Sequence, residues 1–104
     1  MLDVKSWLES TSMQVAENCF LKPPSLPYIV FILDEDVGGA DNKNCISNRG
    51  VNIEFYSSRI DRASEQKIEN LLNEKSIEYK KNRTWIKTET FFQTVYEFQL
   101  LEKF

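Results

Sequence analysis

Tyr28-Ile29-Val30-Phe31-Ile32-Leu33 is a continuous apolar run, rich in β-branched and aromatic residues. A strand with one wet face alternates apolar and polar positions, so an unbroken run of this length reads as a strand buried on both faces. It predicts a central place in a sheet. Pro23-Pro24 and Pro27 stand just before it. Proline cannot donate to a strand ladder, so these residues end the weakly alternating segment 13–21, which is expected as an edge strand or extended arm.

On the other side of the run, residues 34–48 carry Gly38-Gly39, Asp41, Asn42 and Asn44, a turn-rich composition that predicts a long loop or an open hairpin connection. Val51, Ile53 and Phe55 then alternate with Asn52, Glu54 and Tyr56, giving a strand with one face on the core and a hairpin with the first run. Asp61 suits the cap of a helix reaching about Ser76, with Ile68, Leu71 and Leu72 as its buried stripe and Glu65, Lys67, Glu69 and Glu74 outside. Asp3 likewise caps a short helix whose Val4, Trp7 and Leu8 share a face. Ile77 and Tyr79 open another alternating strand, and Phe92, Thr94, Tyr96, Phe98 and Leu100 line one face of the last. Residues 83–90 hold the turn between these two, with Trp85 and Ile86 able to extend the earlier strand. This order predicts an α+β domain over residues 1–104: a single antiparallel or mixed β-sheet of four to five strands, with two helices packed on one face. Ile29, Phe31, Phe55, Leu71 and Phe98 are expected to meet as one core.

With 104 residues the chain has room for one core, which gains from extra burial in an oligomer. A net charge of -3 argues against a protein that wraps nucleic acid through a broad basic surface, and limits DNA contact to something local or passing. Cys19 and Cys45 form no metal-binding or disulfide pattern and read as reduced thiols. Met1-Leu2-Asp3-Val4-Lys5 has no basic-then-apolar signal, and no apolar run approaches the roughly 18 residues of a membrane helix. The expectation is a protein made in the cytoplasm, with no membrane partner.

The chain has no histidine, the commonest general base and metal ligand. Neither cysteine has a visible activating base, and Ser57-Ser58-Arg59 lacks a nucleophile-elbow context. Asp34, Glu35, Asp36 and Asp41 form an acidic cluster, yet the calcium-loop pattern fails at Gly38 and Cys45. No catalytic, cofactor-binding or metal residues are expected, and no enzyme. Lys80, Lys81, Arg83 and Lys87, interleaved with Tyr79 and Trp85, are the one basic and aromatic stretch, read as a charged strand at a subunit or partner surface.

Phe20-Leu21-Lys22-Pro23-Pro24 running into Pro27-Tyr28-Ile29-Val30-Phe31, then Ile53-Glu54-Phe55-Tyr56-Ser57, Lys67-Ile68-Glu69 with Leu71-Leu72, and Phe92-Gln93-Thr94-Val95-Tyr96-Glu97-Phe98 together resemble the phage tail terminator, or tail completion, family of phages and prophages of Gram-positive bacteria. The resemblance implies a hexameric ring that caps the finished tail tube, stops its growth and offers a surface to the neck. Its implied partners are copies of the same chain, the tail tube protein, and a neck or head-completion protein. DNA would be met only in passage through the channel, and the protein would reside in the virion after assembly in the host cytoplasm. A head-tail adaptor or stopper is the neighbouring reading, and a small host-directed binding module a reading of another class. Asp36, Gly38, Gly39, Asp41, Asn42 and Lys43 are the candidate assembly or lumen-facing loop, with acidic groups that repel passing DNA.

Overall fold

A computed structural model describes residues 2–37 and 46–103. The elements in chain order are α1 (Val4–Glu9), β1 (Gln14–Glu17), β2 (Tyr28–Val37), β3 (Ile46–Ser57), α2 (Arg62–Glu74), β4 (Lys80–Ile86) and β5 (Phe91–Lys103). The five strands form one mixed sheet in the order β1-β2-β3-β5-β4. Only the β1–β2 pair is parallel; the others are antiparallel. The chain adopts the expected α+β class, its sheet being the mixed one of the two alternatives and, at five strands, within the four to five expected, with two helices.

Each helix begins where a carboxylate can take its free backbone donors. Asp3 accepts from the Ser6 amide at 3.3 Å, and Asp61 from the Ser64 amide at 3.1 Å and the Ser64 hydroxyl at 2.8 Å. The exit of α2 is closed by two backbone bonds, Ser76 N–H to Asn73 O and Ile77 N–H to Leu72 O, both 3.0 Å. This double closure needs a left-handed residue, and Ser76 takes that role at φ 55°.

The core lies between the helices and one face of the sheet. Ile29 pairs with Phe55, Phe31 with Ile53, Ile53 with Tyr96 and Val51 with Phe98, so register puts these residues on the same face. There they join Ile68 and Leu72 of α2, and Val4 and Leu8 of α1. Four of the five expected core residues are in this cluster. Leu71 is only half-buried against it, because the inward line of α2 runs through Glu65, Ile68 and Leu72.

Three further expectations change. The middle of the sheet is β3, not the apolar run 28–33, since β2 has only the short β1 outside it. That run is covered on both faces at Tyr28, Ile29, Val30 and Phe31, but Ile32 and Leu33 are half-buried. The turn-rich segment 34–48 is shorter as a connection than its composition suggested. Residues 34–37 and 46–48 continue the hairpin, with Asp34 opposite Gly50 and Asp36 opposite Asn48. Last, β4 starts at Lys80, after Ile77 and Tyr79, and runs through Trp85 and Ile86, leaving the turn to residues 87–90.

The outer strands are shorter than the inner ones. β1 covers β2 only along residues 28–31, and β4 covers β5 only along residues 91–97. On β3, Ile53 is opposite Phe31, where β1 ends, and Asn52 is opposite Glu97, where β4 ends, so the two shoulders end within one residue of the same level. Beyond it β2, β3 and β5 continue as a three-stranded ribbon, in a molecule 48 Å along its longest axis.

Candidate functional surface

The basic stretch singled out in the sequence divides according to strand alternation. Lys81, Arg83 and Trp85 pair with Tyr96, Thr94 and Phe92 on the helix-bearing face, while Lys80 pairs with Glu97 on the other. Lys81 and Arg83 therefore meet α2. Arg83 donates from Nε to Glu65 Oε2 at 2.8 Å and from its terminal nitrogen to Oε1; Lys81 Nζ donates to Glu65 Oε1 at 2.9 Å and to Glu69 Oε2 at 2.6 Å. Thr94 Oγ1 donates to Glu65 at 3.3 Å, and the Tyr96 hydroxyl to Glu69 at 2.9 Å.

Glu65, expected outside, is the best-buried charged side chain of this group, at 1 % exposure. Burial by itself would raise its carboxyl, but hydrogen bonds from Arg83 and then Lys81 outweigh that and hold it at about 2. Burial followed by the bond to Glu69 pushes the Tyr96 phenol well above its ordinary range. Two carboxylates and two cations balance in this cluster. It works as a clamp between the edge strand and the helix. The signal was present in the sequence: Glu65, Ile68 and Leu72 share helical spacing, and Lys81 and Arg83 share strand spacing.

On the face without helices, Asn18, Cys19, Phe20 and Pro23 come beside Tyr28 and Val30 of β2. Phe20, Tyr28, Tyr56 and Phe91 form a row with successive ring centroids 5.3, 5.1 and 5.0 Å apart. Tyr56 donates to Glu54 at 2.8 Å and accepts from Gln93 at 2.9 Å. Burial, with the Glu54 carboxylate beside it, pushes its phenol up to about 12. The rings cover one another and close this side of the sheet.

Of the candidate loop residues, Asp36 lies in β2 and not in a loop, because the hairpin pairing reaches Val37. Gly38, Gly39, Asp41, Asn42 and Lys43 lie outside the described residues. Among the described residues no group of three or more His, Cys, Asp or Glu is placed to hold a metal ion. Nor, among them, is any helix long and apolar enough to cross a membrane.

Sequence reasoning missed two features at the ribbon. Arg49, to which the sequence reading gave no role, is buried in β3 and donates to the Leu2 carbonyl at 3.0 Å. An open groove of about 910 Å³ also lies beside β5 where β4 stops, lined by apolar Leu2, Ile77, Phe98 and Leu100, by Tyr79, and by charged Lys75, Glu78, Lys80 and Glu97. No family model matches this chain, and no curated protein does either.

Proposed function

We propose that the chain is a structural assembly protein of a phage-type particle: a tail terminator that closes into a ring, most simply of six, caps the tail tube and joins it to the neck. The observation that supports this reading best is the opposite charge of the sheet's two flanks. The β1–β2 flank carries exposed Glu17 and Asp34, followed in sequence by Glu35 and Asp36. β4 itself carries only basic charges, Lys80, Lys81 and Arg83, with exposed Lys75 and Glu78 before the strand and exposed Lys87 and Glu89 after it. A ring needs a heterologous contact, in which one surface of a subunit meets a different surface of the next. Flanks of opposite sign meet that requirement and discourage like-to-like contact.

The host-directed module is less well supported, because two of the four cations it needs are committed to Glu65 and Glu69. The ring contact is tested by reversing charge on one flank. Lys80→Glu with Lys87→Glu is expected to abolish rings, and adding Glu17→Lys with Asp34→Lys to restore them. Rings unaffected by the first pair would remove the flank contact.

A further inference from the structure

Open strand edges invite pairing with another chain, and soluble proteins guard them with brevity, charge or proline. Three of the four open stretches of this sheet are guarded in that way. β1 has four residues, β4 carries Lys80, Lys81 and Arg83, and β2 beyond its partner carries Asp34-Glu35-Asp36. The fourth is the outer side of β5 from residue 98 onward, where no strand of the described chain pairs with it. It reads Phe98-Gln99-Leu100-Leu101, without a charge before Glu102 and Lys103. The groove described above runs along Phe98, Gln99 and Leu100 of this stretch.

We infer that a second copy of this chain adds its own β5 to this edge, antiparallel, across a two-fold axis normal to the sheet at Leu101. Parallel addition is blocked. A parallel β5 brings its own β4 shoulder, and a parallel β2 its β1 shoulder, to the level where β4 already stands beside residues 91–97. In the antiparallel arrangement the copy's β4 lies beyond the end of this β5, and each β5 continues the line of the other chain's β4. A two-fold axis normal to the sheet also keeps both pairs of helices on the same side, so the two apolar faces join. Directly opposite residues share a face, which requires one residue to stand opposite its own copy. Lys80 fills the place beside Glu97, leaving Leu101 at the axis, Gln99 opposite Lys103 and Leu100 opposite Glu102.

Phe98 and Leu100 are already largely buried in the single chain. Backbone donors and acceptors of the edge therefore carry the contact, more than newly covered side chains do. The dimer occupies the β4 side, which the ring contact also needs, and so is the form of the protein away from a tail tube. It forms whether or not the ring does.

The experiment is sedimentation of the full chain across the micromolar range, with disulfide trapping in a Cys19→Ser, Cys45→Ser background. The chain is expected to show a dimer that dissociates on dilution. Leu101→Cys is expected to give a disulfide-linked dimer in far higher yield than Asp36→Cys on the acidic edge. Leu101→Lys should weaken the dimer about tenfold or more with circular dichroism unchanged. Absence of any dimer overturns the inference. So does trapping at Leu101→Cys no better than at Asp36→Cys, or a folded Leu101→Lys chain that dimerises as before.

Discussion

Glu65 of α2 and Arg83 of β4 share a two-point carboxylate–guanidinium contact, with Glu65 Oε2 2.8 Å from Arg83 Nε. The contact fixes an edge strand to the helix above it, at a place where the carboxylate has almost no access to water. Its consequences for stability follow from burial and pairing.

The pH dependence has a definite sign. The folded-state pKa of Glu65, about 2, lies below its ordinary value of 4.5, so the folded chain holds the ionised form preferentially. The resulting stability is fully present above the ordinary value and is lost as pH falls toward about 2; it amounts to about 3 kcal/mol. Urea titrations from neutral to acid pH should show the stability difference between the unsubstituted chain and Glu65→Gln shrinking over that window. A difference that does not change with pH contradicts the clamp.

Removing one partner should hurt more than removing both. Arg83→Met alone leaves a buried carboxylate with fewer donors, at a cost of about 3 kcal/mol or more. Adding Glu65→Met should recover part of that loss, with a coupling energy of about 0.5 to 3 kcal/mol in a double-mutant cycle. Strictly additive losses would mean that the two side chains do not depend on each other.

The hydrophobic load of α2 falls on Leu72 and Ile68, which have no exposure, more than on Leu71. Leu72→Ala should cost about 2 to 5 kcal/mol, and Leu71→Ala clearly less. Chemical denaturation of the two variants compares them; equal losses would place α2 in a different rotation.

Ser76 holds a left-handed conformation for which glycine is the usual residue. Relief of that strain should let Ser76→Gly stabilise the fold by about 1 kcal/mol, allowing for the greater entropy of glycine in the unfolded chain. Thermal melting should show a higher midpoint, and a lower one would mean that the Ser76 side chain contributes something glycine cannot.

Much of this fold could be read from residue patterns. Period-two alternation at Val51, Ile53 and Phe55 placed β3 on the core, and Asp3 and Asp61 marked where the helices begin, because capping and alternation are local rules. What escaped depends on partners distant in the chain. Glu65 reads as a solvent-facing helical acid until Lys81 and Arg83 arrive from a strand 16 and 18 residues away. Residues 34–37 read as loop because Asp34, Glu35 and Asp36 disfavour strands, yet the hairpin with β3 carries them into the sheet. The open edge of β5 follows from β4 being the shorter strand, a mismatch that hydrophobicity alone does not display.

Electron microscopy of the purified chain mixed with assembled tail tubes tests the proposed role. Closed rings, most of them of six subunits, seated at tube ends are the expected result, together with tubes that stop growing. Tubes with bare ends that keep elongating, beside a protein that remains monomeric or dimeric throughout, would contradict it.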